Sequence, residues 1–157
     1  MKVRLGPYKN KRTVRIEIEK FDTWSMDDTL ALIIHPMLVQ LKATKHSAPS
    51  VDDEDVPDEL KSTSAPPKKN DWDTDENFFK RWDYVLDQMI WSFEQIINDY
   101  ADSEFSSGEI DMSFKDGEMI KGPNHTFTVD VLGLETHHER IRKGTMLFGK
   151  YYQGLWD

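Results

Sequence analysis

The chain of 157 residues contains no cysteine. Disulfides and thiolate metal sites are thereby excluded, and a reducing compartment is the natural expectation. No apolar run approaches the roughly 18 residues that a membrane span needs. The opening Met1-Lys-Val-Arg-Leu lacks the apolar stretch of a signal peptide. A soluble intracellular protein without a membrane partner is the expectation. Gly-x-Ser-x-Gly, a Walker loop, Gly-x-Gly-x-x-Gly and a catalytic cysteine are all missing, so no motif marks a nucleophile or a phosphate cradle. His137-His138-Glu139 is not the His-Glu-x-x-His zinc pattern, which sets two imidazoles one helical turn apart. His35, His46 and His125 are scattered. No catalytic residue, metal or cofactor is assigned.

What is present describes a folded protein. Hydrophobic residues make up 38% and aromatics 11%, enough for a single domain over residues 1–157 with a core of its own. The net charge of −9 is unevenly spread. Residues 1–20 carry seven Lys/Arg against two Glu, whereas residues 51–60 carry six acids and no base. An acidic total argues against general nucleic-acid binding, which needs dense positive surface. It leaves room for a local basic pocket.

Periodicity places the elements. Arg12–Lys20 alternates, with Val14, Ile16 and Ile18 facing one way and Arg15, Glu17 and Glu19 the other. Val3 and Leu5 supply a partner strand, with Gly6-Pro7 and Lys9-Asn10 as the turn. A first helix is expected over roughly 26–45, capped by Ser25 or Asp22. Its broad apolar stripe is Leu30, Ile33, Ile34, Met37, Leu38 and Leu41. Pro36 should kink or split it. Residues 47–70 hold four of the seven prolines and few bulky apolar side chains, and read as an extended or flexible arm. A long second helix follows over roughly 74–102, capped by Asp73 or Thr74. Trp82, Val85, Leu86, Met89, Phe93 and Tyr100 fall on its apolar face. Residues 105–132 suggest a β-meander turning at Lys115-Asp-Gly-Glu118 and ending in a strand over 125–132. A third helix runs over roughly 134–155. The fold class is α+β: three main helices, the second long and the first kinked at Pro36, packed with a small antiparallel sheet.

Three blocks carry a resemblance. They are Asp22-Thr-Trp-Ser-Met-Asp through Leu41-Lys-Ala-Thr-Lys-His46, Arg81-Trp-Asp-Tyr-Val-Leu-Asp-Gln-Met-Ile-Trp-Ser-Phe-Glu94, and Gly144-Thr-Met-Leu-Phe-Gly-Lys-Tyr-Tyr-Gln-Gly-Leu-Trp-Asp157. Together they resemble a family of tailed-bacteriophage proteins of unassigned chemistry. The resemblance implies a viral origin and action in the host bacterial cytoplasm. It carries over no catalytic residues.

One cluster of residues suggests binding chemistry. Lys42, Lys45 and His46 close the first helix, and Arg140, Lys143 and Lys150 share a face of the third. Arg12 and Arg15 lie on the polar side of the first strand. If they converge, they offer forked and point-charge donors to an anion, with Trp24 or Tyr151 to stack on a base. The ordinary alternative is that these cations offset helix dipoles and keep the surface mixed. Likewise Asp83, Asp87 and Glu94 share a helix face that could hold Mg²⁺, or is simply the solvated side of an amphipathic helix. Four functions compete. The leading one is a non-enzymatic sponge for an anionic small molecule, of the cyclic-nucleotide or ADP-ribose type, that serves as an immune signal; oligomerisation is one way to complete its pocket. The others are a protein-interaction module inhibiting a host protein through the acidic arm, a phage morphogenesis or structural protein, and a metal-dependent hydrolase or nuclease.

Overall fold

The computed structural model describes residues 1–8, 11–98 and 101–156. Its architecture is α+β. Three long helices form the body: α1 (Met26–Thr44), α2 (Phe78–Asn98) and, after a short α3 (Ala101–Glu104), α4 (Val131–Lys150). α2 is the middle element, packed by α1 on one side and α4 on the other. Its inward positions Trp82, Val85, Leu86, Met89 and Phe93 recur at 3.6-residue spacing and are buried. They meet Ala31 and Leu38 of α1 and Leu147 of α4. The α2–α4 contact is close because both sides are small. A Cβ on Gly144 would sit 1.9 Å from the Ser92 hydroxyl, so only glycine allows the backbones this separation.

The strands do not form one sheet. They make three separate antiparallel pairs, not the single small sheet expected. β1 (Lys2–Leu5) pairs with β2 (Val14–Glu17), Val3 opposite Ile16 and Leu5 opposite Val14. β3 (Ser106–Ser107) pairs with β6 (Thr128–Val129), and β4 (Met112–Lys115) with β5 (Glu118–Lys121). The β4–β5 turn is the one expected at Asp116-Gly117, both with positive φ (54° and 86°), as a two-residue hairpin loop requires. The turn residues Lys9-Asn10 lie outside the described residues, as does Tyr100.

Other expected boundaries move for local reasons. α1 runs through Pro36 without being split. Proline has no N–H for the Leu32 carbonyl, and Leu32 is exposed, so water can satisfy it. α2 begins at Phe78 rather than near residue 74, because the Asp75 carboxylate turns back to Arg81 and to the Asn77 N–H (2.9 Å). The strand expected to reach residue 132 stops at Val129. Asp130 instead accepts the Gly133 N–H (3.0 Å) and caps α4.

Residues 47–65 lie on the helical body as a strap with three single 3-10 turns (Asp53–Asp55, Asp58–Leu60, Ser62–Ser64). Val51 and Val56 are its buried anchors. Arg81, 4% exposed, rises from α2 into the strap. It holds Asp75 by two hydrogen bonds (2.9 and 2.7 Å) and donates to the Leu60 carbonyl (3.2 Å).

Candidate functional site

The ten sequence-derived site residues fall in four separate places. Arg12 and Arg15 belong to the exposed β1–β2 hairpin, where Arg15 pairs with Glu17 (2.7 Å) and Arg12 donates to the Gly6 carbonyl (3.0 Å). Trp24, expected to stack on a base, is 82% exposed just before α1, apart from the basic residues of the helix ends.

At the other end of α1, Lys42 is ion-paired with Asp87, and Lys45 with Asp83 (2.6 Å). His46 follows, exposed. Asp83 and Asp87 are thus one turn apart on α2 and bind two lysines of α1. They act as an interhelical clamp, while Glu94 stays in solvent. No group of three or more His, Asp or Glu able to hold a metal ion occurs among the described residues.

The third place is the end of α4. Lys150 Nζ is surrounded by Asp52 (2.8 Å), Glu54 (3.1 Å) and Asp55 (2.7 Å) of the strap. These hydrogen bonds, Asp52 first, raise its pKa above the usual lysine range. The neighbouring Tyr151 hydroxyl donates to Asp55 (2.5 Å) and accepts from the Asp52 N–H (3.0 Å). Burial, reinforced by the Asp55 hydrogen bond, pushes its pKa up to about 12. Lys150, expected to bind an anion, and Tyr151, expected to stack on a base, are therefore already engaged by the chain's own acidic run. Lys143 lies beside them in a recess of about 370 Å³ shared with Arg142, Glu139 and Glu54. Both signs of charge line it, which gives no net attraction for an anion.

The fourth place stands apart. The Arg140 guanidinium lies 3.7 Å from the centre of the Trp91 ring, a cation–π stack. His137 meets Trp91 edge-on (5.3 Å) and Phe105 at a tilt (5.2 Å). Among the described residues, no carboxylate lies within ion-pair distance of Arg140. An open recess of about 470 Å³ adjoins these four residues, with the α4 cap Asp130 also on its wall. Trp91 and His137 are 46 positions apart, so no local spacing could have joined them.

A further concavity is of a different kind. A groove of about 800 Å³ runs between the C-terminal half of α1 and the end of the chain. Met37 and Leu41 line one side, Phe148, Tyr152, Leu155 and Trp156 the other. It exists because α1 and α4 both pack on α2, leaving a gap between their ends. The wall is mostly apolar, with Gln40 and Thr44 as polar members. Met37 belongs to the apolar stripe expected of the first helix, yet it is 64% exposed, and Tyr152 across the groove is 65% exposed.

No helix among the described residues is long and apolar enough to cross a membrane. No known protein family matches the chain, and no curated protein or solved structure is significantly similar to it.

Proposed function

We propose that this chain is a non-catalytic assembly protein, acting through apolar docking onto other protein in a phage-infected bacterium. One observation carries the reading. The chain exposes 11,866 Å², whereas a compact monomer of its mass exposes about 8,200 Å². Part of the exposed surface is apolar. On the β1–β2 hairpin, Val3, Leu5, Val14 and Ile16 share one face and are 41–57% exposed. A lone two-stranded hairpin is marginal in water without something on its apolar face. Exposed apolar patches of this extent mark interaction sites.

The acidic arm is a weaker docking element than the hairpin. Its valines are buried and its carboxylates engage Lys150, Tyr151 and Ser62. The test is cross-linking mass spectrometry on the tagged chain during infection. Specific links from Lys2, Lys11 or Lys20 to protein, lost in a Val14→Asp/Ile16→Asp variant, are expected. A hairpin that links to nothing refutes the reading.

A second reading is sequestration of an anionic small molecule at Arg140. The supporting observation is the guanidinium stacked on Trp91 with no carboxylate on it. Native mass spectrometry with cyclic nucleotides and ADP-ribose species tests it: a mass gain abolished by Arg140→Ala supports sequestration, and no gain removes it.

A further inference from the structure

We infer that the occupant of the apolar groove is a second copy of this chain, docked antiparallel along α1 so that each copy's Phe21 and Trp24 enter the other's groove. The inference rests on the reading of the chain as an assembly protein and names its first partner.

Four observations converge. First, α1 is apolar on more sides than its own fold uses. Ala31, Ile34, Leu38 and Leu41 turn toward the body. Met26, Leu30, Ile33 and Met37, spaced by 4, 3 and 4, form a second stripe. Met26 is 55% and Leu30 41% exposed.

Second, this stripe runs on the same side of the helix as the groove, whose α1 wall spans Ile34 to Thr44. Two exposed aromatics precede the helix at its other end: Phe21 is 79% and Trp24 82% exposed. A two-fold axis near Ile33 sets Leu30 opposite Met37 and Met26 opposite Leu41. It carries Trp24 of each copy over Leu41 and Thr44 of the other. One helix thus bears a plug at its N-terminal end and a socket at its C-terminal end, about 28 Å of helix overall. An isologous pair fills both sockets at once.

Third, the area suffices. An excess of roughly 3,700 Å² per chain over a compact monomer is more than the roughly 1,000–2,500 Å² that each partner of an obligate homodimer contributes. Fourth, charge fits. The N-terminal hairpin that accompanies the plug holds seven basic residues against two acidic, and the remaining 137 residues hold 13 against 27. Docking therefore brings a basic segment onto an acidic body.

The absence of native cysteine makes the test clean. Single-cysteine variants Leu30→Cys and Met37→Cys are mixed under mild oxidation, with Tyr8→Cys, on the 93% exposed tyrosine, as a control. The mass of the wild-type chain is followed by light scattering across concentration. We expect a species of twice 18.4 kDa, a Leu30–Met37 cross-link formed at least tenfold faster than any link to position 8, and at least tenfold weaker association in Trp24→Ala. Helical circular dichroism should be unchanged in that variant, since Trp24 is outside the core. A chain that stays monomeric at high concentration overturns the inference, as does a dimer that cross-links no faster at 30 and 37 than at 8. A monomer whose hairpin still cross-links to a different protein overturns self-docking alone and leaves the assembly reading standing.

Discussion

Arg81 is the residue on which strap and helix depend together. It is buried, doubly bonded to Asp75, and tied to the Leu60 carbonyl. Arg81→Met leaves Asp75 without its counter-charge, and a loss of about 3–5 kcal/mol in unfolding free energy is expected by denaturant titration. The same pair sets the acid limit. The hydrogen bonds from Arg81 hold the Asp75 carboxyl below its ordinary value of 3.8. A lowered carboxylate contributes stability that is complete above that value and is lost as pH falls through the folded pKa. Ser62 lowers Asp53 in the same way. Stability should therefore drop below about pH 4, and less steeply in Asp75→Asn. At the alkaline end the sign reverses for Tyr151. Its folded pKa, up at about 12 from 10.0, means the folded chain keeps a proton that the unfolded chain gives up. Stability falls between those two values, and the raised Lys150 adds to the fall. Tyr151→Phe should flatten that slope in thermal melts between pH 9 and 12.

At the scale of elements, α2 was the most legible. Its apolar positions repeat through five turns, and the tertiary packing uses nearly all of them. α1 was legible as a helix and not in its packing. Its stripe of six apolar residues spans two faces, and periodicity cannot say which face a protein buries and which it leaves for a partner. Lys150 was singled out to bind an anion and Tyr151 to stack on a base, and both bind carboxylates. That the carboxylates come from residues 52–55 involves contacts 95 or more positions apart, beyond any local pattern. The strap itself read as an arm because its anchors are only two valines. The α2–α4 seam offers the sharpest test at this scale. Gly144→Ala drives a methyl group into Ser92 and the Gln88 carbonyl. A cost of about 1–3 kcal/mol from forced separation of the helices is expected. Gly149→Ala, with nothing within 4 Å of the new carbon, should be neutral or stabilising, since alanine favours helix.

The whole molecule is a three-helix body with two exposed hairpins. Both hairpins show apolar side chains to solvent, Phe114 at 74% and Val14 at 57% among them. At concentrations low enough to keep single chains, small-angle scattering should give a radius of gyration above the roughly 15 Å of a compact domain of this length. A value at or below 15 Å would mean that the hairpins fold back and that the surplus surface is not free.

The middle position of α2 also imposes an order in time. Its two flanks are covered by elements that the ribosome makes far apart: α1 ends at Thr44 and α4 begins only at Val131. At typical synthesis rates the 32 residues between Asn98 and Val131 take about 2–6 seconds. Throughout that interval α2 is docked on one side only, and Trp82, Met89 and Phe93 await the helix that closes over them. A chain interrupted in that window carries a finished half and an adhesive one, and its fate is decided by how soon translation resumes.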